Sequence, residues 1–174
     1  MNKSQAGFTL VELVVVILIL GILGATALPR FMNVNTQAHE AAVNGAGGGL
    51  GAGVALVHAQ WVANGSTGAE DTVTGFGAGN VAVNASGWPS NVGAAQNALS
   101  TQAECVEVWE GIMQNPPTVD TLASGSTTVD YLVDVAAGAN ATDQACTYTY
   151  QNAGTMSIVY DSFDGSVVVD ADIN

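Results

Sequence analysis

The sequence has very few basic side chains. Lys3 and Arg30 are its only lysine and arginine against 15 acidic residues, and its formal net charge is −13 over 174 residues. Because nucleic acids are bound through a basic surface that meets their phosphates, this composition excludes nucleic acid as a partner. Mutual repulsion keeps such an acidic body soluble, but charge does not identify a fold. The length allows one domain with an attached segment and leaves no room for a second large domain.

Cysteine is also scarce, since Cys105 and Cys146 are the only two in the chain. Their separation of 41 residues provides no Cys-x-x-Cys spacing, which excludes the common zinc sites and thioredoxin-like redox motifs. A structural disulfide is the simplest use of the pair. It requires export of the domain, because cytosolic thiols remain reduced. Closing a loop of about 42 residues would stabilise the fold by about 4 kcal/mol on the chain-entropy estimate.

Catalytic motifs are missing as well. His39 begins a sequence like the zinc-protease motif, but Val43 stands where the second histidine is required. The Gly-x-Ser-x-Gly elbow of serine hydrolases is absent. The acidic residues near the C-terminus miss the EF-hand spacing and are predicted to form a solvated face: Asp161, Asp164, Asp170 and Asp172. We therefore expect no enzymatic activity, no metal site and no cofactor, with calcium binding by these aspartates as the open alternative. We expect His39 and His58 to be ordinary helix residues.

The chain does contain one long apolar run, from Phe8 to Leu28. As a helix it would be about 31 Å long, which matches the hydrocarbon thickness of a bilayer. The run follows a polar stretch that ends in Gly7, whereas the small residues of a secretory signal come after its apolar part. Lys3 favours a cytoplasmic N-terminus, which leaves everything after Pro29 outside, and Arg30 opposes that orientation weakly.

Glu12 lies inside this apolar run. A charged side chain in hydrocarbon costs about 2.5 to 3.5 kcal/mol on insertion scales, so an intramembrane acid usually has a partner. No basic residue lies within helical reach of Glu12. The sequence therefore predicts that its partner comes from elsewhere.

The stretch Gly7-Phe8-Thr-Leu-Val-Glu12-Leu resembles the processing site of type IV prepilins and related pseudopilins. The resemblance implies that a prepilin peptidase cuts the leader, residues 1–7, after Gly7 and that the new N-terminal Phe8 is N-methylated. It also implies an assembly role for Glu12, whose carboxylate would pair with the amine of Phe8 on a neighbouring subunit. Residues 8–28 would then be a transmembrane helix first and the filament core afterwards.

The resemblance continues beyond this run. Pro29 stands where many family members have a proline within the first helix, so a helix kink is expected there. Residues 29–174 are expected to form an acidic globular head that includes the second half of the long helix. The implied fold is α+β, with the helix packed on a C-terminal antiparallel meander of about four strands.

Periodicity supports this organisation. An apolar stripe predicts that the long helix continues to about Asn64 and Gly65, although six glycines between Gly45 and Gly53 weaken it; the stripe is formed by Leu50, Val54, Val57 and Trp61. Thr101 and Glu104 form a capping box before a second helix over 104–113. Enrichment in β-branched and aromatic residues predicts strands within 128–135, 146–151, 155–160 and 166–170. Residues 65–100 read as a loop region, with a short strand at 80–84 and a turn at 86–90.

The segment from Cys105 to Pro117, followed by strands and Cys146, resembles pilins of the mannose-sensitive haemagglutinin kind. In those proteins a cysteine pair ties down the C-terminal sheet region, so the resemblance implies a Cys105–Cys146 disulfide.

The function implied is that of a structural subunit of a type IV pilus, a surface appendage of the adhesion or motility type. The implied partners are other copies of the chain in a helical filament, the prepilin peptidase, the assembly machinery and the inner membrane. The precursor would lie in the inner membrane with its head in the periplasm, and the assembled pilus would be extracellular. The alternative is a major pseudopilin of a type II secretion system, although the cysteine pair and the large head favour the pilus. A membrane-anchored periplasmic enzyme has no supporting constellation of residues.

Overall fold

A computed structural model describes residues 7–93, 99–137 and 144–172. Lys3 and most of the expected leader fall outside these ranges, so the predictions about them concern residues that are not described. Internal contacts divide the chain into two compact units, one ending at Ala38 and the other beginning at His39. The expected boundaries after residues 7 and 28 concern processing and membrane insertion, and they stay predictions.

Helix α1 spans Leu10–Ala63 and contributes to both units. Its end confirms the predicted helical path to about Asn64. The helix runs without interruption through the six glycines between Gly45 and Gly53. Helix propensity is poor there, so this part of the helix depends on tertiary packing, as most helices in proteins do. The helix packs into the core of the second unit through four of its own apolar side chains, which are almost completely buried: Val43, Leu50, Val54 and Val57.

The glycines of this run have different surroundings. A Cβ atom at Gly53 would lie 2.9 Å from the carbonyl oxygen of Ile112, and one at Gly47 would clash with Val169. These two positions require glycine because other parts of the head approach the helix closely. A Cβ atom at Gly45 or Gly48 would meet nothing within 4 Å. The packing of this chain therefore does not explain glycine at positions 45 and 48.

Helix α2 spans Gln102–Ile112 and begins with the predicted capping box. The Glu104 amide donates to Thr101 Oγ1 at 3.2 Å, and the Thr101 amide donates to Glu104 Oε2 at 2.9 Å. The helix ends at Ile112, before the two prolines at 116–117. Its buried residues are Cys105, Val108, Trp109 and Ile112.

The second unit contains two sheets. Strands β1 (Val81–Val83) and β2 (Pro89–Val92) form a small antiparallel pair. The larger sheet has five strands in the order β3-β4-β5-β6-β7, and these are Val119–Thr121, Tyr131–Ala137, Gln144–Tyr150, Ser157–Asp161 and Val167–Asp170. The strand predicted at 80–84 corresponds to β1.

Strands β4 to β7 form the predicted antiparallel meander, but the sheet as a whole is mixed. Strand β3 pairs in parallel with β4, with Val119 opposite Tyr131. A strand of three residues is too short to show alternation, so periodicity could not reveal it. Strand β2 was likewise missed, because Pro89 follows a Ser-Gly-Trp sequence that resembles a turn.

The core of the second unit lies between α1, α2 and the five-stranded sheet. Trp109 of α2 is completely buried, and its ring centroid lies 4.5 Å from that of Tyr148 and 5.0 Å from that of Tyr131. The buried Tyr148 hydroxyl donates to the carbonyl oxygen of Cys105 at 2.7 Å, and that of Tyr160 donates to the carbonyl oxygen of Pro89 at 2.7 Å. The expected α+β fold, a long N-terminal helix with a C-terminal sheet, is confirmed.

Candidate functional site

The Gly7–Phe8 junction lies in a non-helical stretch directly before α1. Gly7 is exposed, and the Phe8 side chain is 86% exposed. An exposed bond in extended backbone is open to a peptidase, whereas a bond within a helix is held in its hydrogen-bond ladder. The geometry at this junction is therefore compatible with cleavage.

Glu12 has a partner inside its own chain. Its Oε2 atom accepts hydrogen bonds from the Thr9 backbone amide at 2.9 Å and from Thr9 Oγ1 at 2.8 Å. The Glu12 amide in turn approaches Thr9 Oγ1 at 3.3 Å. This is a capping box, with Thr9 immediately before the helix and Glu12 at the third helical position. Its Oε1 atom has no hydrogen bond to any of the described residues.

Glu12 therefore has a neutral hydrogen-bond partner within its own chain, which the sequence analysis did not predict. Thr9 was missed even though Thr9-x-x-Glu12 is the same signature that was used to predict the start of α2 at Thr101 and Glu104. Pairing of Glu12 with another subunit stays a prediction.

The apolar residues that follow are exposed along the whole first part of α1. Leu10, Val11, Ile17 and Leu20 are between 58% and 78% exposed. An 18-residue window in this helix has a mean hydropathy of 2.7 and none of its residues is buried, so the segment is long and apolar enough to cross a bilayer. A surface of this size, left uncovered, marks a membrane or protein contact.

The helix continues through Pro29 to Arg30, which is exposed. Proline within a helix removes one backbone hydrogen bond and crowds the preceding turn. The kink expected at Pro29 stays a prediction.

Cys105 and Cys146 form a disulfide with an S–S distance of 1.97 Å and a Cα–Cα distance of 5.7 Å. Both residues are completely buried. The bond joins the first half of α2 to strand β5, and the Tyr148 hydroxyl bonds to the carbonyl of Cys105 beside it. The predicted pairing is confirmed, and its burial indicates a structural bond rather than a reactive one.

Both histidines lie on α1 and are used in packing, as expected. His39 Nδ1 and the Tyr150 hydroxyl are 3.0 Å apart. His58 Nδ1 donates to the carbonyl oxygen of Gly87 at 3.1 Å, since a carbonyl can only accept, and its ring stacks on Trp88 with centroids 3.9 Å apart. Neither arrangement resembles a catalytic pair.

The four C-terminal aspartates differ in burial. Asp161 is buried, and its Oδ1 accepts from the Phe163 amide at 2.9 Å, so the prediction of a solvated position was wrong for this residue. Asp164 is exposed, and hydrogen bonds from the side chain and amide of Ser166 lower the pKa of its carboxyl. Asp170 and Asp172 are exposed. Across 7–93, 99–137 and 144–172, no three acidic, histidine or cysteine residues are grouped to hold a metal ion.

Comparison with known proteins gives a family match at the N-terminus and a similar curated protein. Residues 2–28 match the family described as "Prokaryotic N-terminal methylation motif". A stretch of 38 residues, 22% of the chain, is 55% identical to the type IV narrow pilus major component PilA5 of Thermus thermophilus. The chain spans 33% of the length of that relative. No solved structure matches the chain.

Proposed function

We propose that this chain is a type IV pilin, the structural subunit of a pilus filament. The observation that carries the proposal is the coincidence, at residues 2–28, of the methylation motif with an exposed apolar helix that contains one carboxylate. In the proposed assembly, residues 8–28 leave the membrane and pack together in the filament. The acidic head remains outside, and the role of the protein is structural rather than enzymatic.

Processing comes first in this proposal. A prepilin peptidase cuts after Gly7, and Phe8 becomes the N-terminal residue and is methylated. The exposed, non-helical junction supports this step. The capping box between Thr9 and Glu12 contains no leader residue, so cleavage leaves the start of α1 intact.

Glu12 then directs docking between subunits. Its Oε2 atom is occupied by Thr9, while Oε1 has no hydrogen bond to the described residues and remains able to accept one. A methylated amine at Phe8 is still a cation. A charge-assisted bond from that amine to Glu12 of a neighbour would remove an uncompensated charge from hydrocarbon.

The precursor is proposed to lie in the inner membrane with its head in the periplasm. Lys3 on the cytoplasmic side supports this orientation. The buried Cys105–Cys146 disulfide also supports it, because such bonds form and persist in oxidising compartments. Membership of the mannose-sensitive haemagglutinin kind of pilin stays a prediction.

A pseudopilin of a type II secretion system would share the leader and the apolar helix. The pilus is favoured because the relative from Thermus thermophilus is named as a pilus component. Electron micrographs of cells with and without the gene test the proposal. Surface filaments that contain this chain and disappear on deletion are the expected result. Retained filaments together with lost protein secretion would contradict it.

A further inference from the structure

The second unit carries an open groove of about 440 Å³ along one face of α1. Its floor is formed by small residues of the helix, and its opposite wall by the segment that follows α2. The main lining residues are Gly45, Gly49, Ala52 and Leu56 on α1 with Met113 and Pro116 across from them. None of the residues that line this groove carries a charge.

The fold of the chain alone does not explain this surface. Gly45 is exposed and a Cβ atom there would meet nothing within 4 Å, although alanine would favour the helix more than glycine does. Leu56, at the other end of the groove, is 60% exposed. A helix that keeps glycine without an internal contact and leaves a leucine uncovered has the character of a surface that another helix approaches closely.

We propose that this groove, which we call the small-residue groove, binds the apolar helical segment, residues 13–28, of a second copy of this chain. The inference rests on the proposed polymerisation. It names the surface of one head that contacts the apolar helix of a neighbouring subunit.

The distribution of charge along the chain indicates which segment of a second copy binds in the groove. All the acidic residues except Glu12 lie beyond residue 28, so two heads repel each other. Residues 13–28 are uncharged and their large apolar side chains are exposed, and they are followed by Arg30, the one lysine or arginine outside the expected leader. This segment combines a neutral apolar surface for the groove with a cation that an acidic head attracts. Small residues on the floor allow the incoming leucine, valine and isoleucine side chains to approach the α1 backbone.

Crosslinking in assembled filaments tests the contact directly. A photo-crosslinking amino acid replaces Gln114, an exposed residue on the rim of the groove, in the full chain expressed in its own cells. The control position is Thr127, which is exposed and does not line the groove. We expect a crosslinked dimer only from position 114, and its joined peptide should come from residues 8–30.

The outcomes separate this inference from the proposed function. Intact filaments that crosslink position 114 only to head residues, or give no dimer, would overturn the groove assignment and leave the pilus proposal standing. Absence of filaments from the wild-type strain would overturn both.

A matched pair of substitutions adds a second test. Gly45→Leu fills the groove, whereas Gly48→Leu places the same side chain at an exposed position that does not line it. Because both positions are exposed and a Cβ atom at either one meets no other part of the fold within 4 Å, we expect neither change to lower the unfolding midpoint of the full chain in detergent. We expect Gly45→Leu to reduce sheared filament yield at least tenfold and Gly48→Leu to leave it within twofold of wild type. Equal yields from the two variants, with equal amounts of subunit in the membrane, would overturn the proposal.

Discussion

Thr9 donates both its backbone amide and its hydroxyl to one carboxylate oxygen of Glu12, at 2.9 and 2.8 Å. The carboxylate that the sequence places inside an apolar run is therefore also part of the capping box at the start of helix α1. One side chain has two distinct roles here: a local one, satisfying an amide that has no helical partner, and a proposed intersubunit one that depends on its charge.

Substitutions at Glu12 and Thr9 separate these roles. In Glu12→Gln the charge is lost, but an amide oxygen still accepts from Thr9 because glutamine also serves in capping boxes. We expect Glu12→Gln and Glu12→Ala to reduce filament yield to a similar, low level, while both proteins accumulate in the membrane. Thr9→Val keeps the charge and removes the hydroxyl, at a cost to the helix start of about 1 kcal/mol, so it should assemble well.

The measurement compares sheared surface filaments with membrane-bound subunit in the three variants and wild type. Normal assembly of Glu12→Gln, combined with poor assembly of Thr9→Val, would show that the helix cap matters and that the charge does not.

Removal of the leader gives a second prediction. We expect subunits from sheared filaments to begin at Phe8 and to carry one methyl group on the new amine, because the methylation motif covers an exposed, non-helical junction. Intact-mass measurement of purified filaments checks both changes at once. A filament subunit that retains residues 1–7 would contradict the prediction.

Elements with a strong local signal were predictable from the sequence. The stripe of Leu50, Val54 and Val57 and the capping box of Thr101 and Glu104 both follow from helical spacing, and both appear in the structure. The predicted antiparallel strands follow from β-branched and aromatic enrichment. In these segments local preference and tertiary packing favour the same structure.

The remaining features depend on contacts between distant residues. Strand β3 pairs with β4 beside a hydrogen bond between distant residues, in which Thr118 Oγ1 donates to Asp130 Oδ2 at 2.7 Å, and no local sequence pattern predicts that pairing. Propensity could not decide whether the glycine run is helical, since the contact of Gly53 with Ile112 lies 59 positions along the chain and is visible only in the fold. The small-residue groove likewise depends on the approach of two distant parts of the chain, α1 and the segment that follows α2.

The disulfide gives a third prediction. Replacing Cys105 and Cys146 together with alanine should lower the free energy of unfolding by about 4 kcal/mol, because the unfolded chain regains the entropy of a loop of about 42 residues. Urea unfolding of the full chain in detergent, followed by tryptophan fluorescence, measures the change. Peptide mapping without reductant should recover the two residues in one linked product. Two unmodified thiols in protein kept from reductants would contradict the assignment.

Two glycines of α1 should respond oppositely to alanine. Gly48→Ala should stabilise the chain by about 0.8 to 1.0 kcal/mol, because a Cβ atom there meets nothing and alanine is the better helix former. Gly53→Ala should destabilise it by about 1 to 3 kcal/mol, because its Cβ atom would lie 2.9 Å from the Ile112 carbonyl oxygen. Urea unfolding of the two variants measures the difference. Similar shifts of the same sign would show that α1 and α2 do not approach as closely as described.

Stability should fall steeply in alkaline solution. Burial raises the pKa values of Tyr131, Tyr148 and Tyr160 above the ordinary value of 10.0. The folded chain keeps these protons while the unfolded chain loses them, so stability is fully present below about pH 10 and decreases as pH rises, by about 1.4 kcal/mol per pH unit for each tyrosine. The near-ultraviolet tyrosinate absorbance contributed by these three residues should therefore rise together with unfolding. Tyr160→Phe provides the control, because it removes one titrating group and should make the decline shallower. Gradual ionisation of these tyrosines around pH 10 in a chain that stays folded would contradict the burial on which this prediction depends.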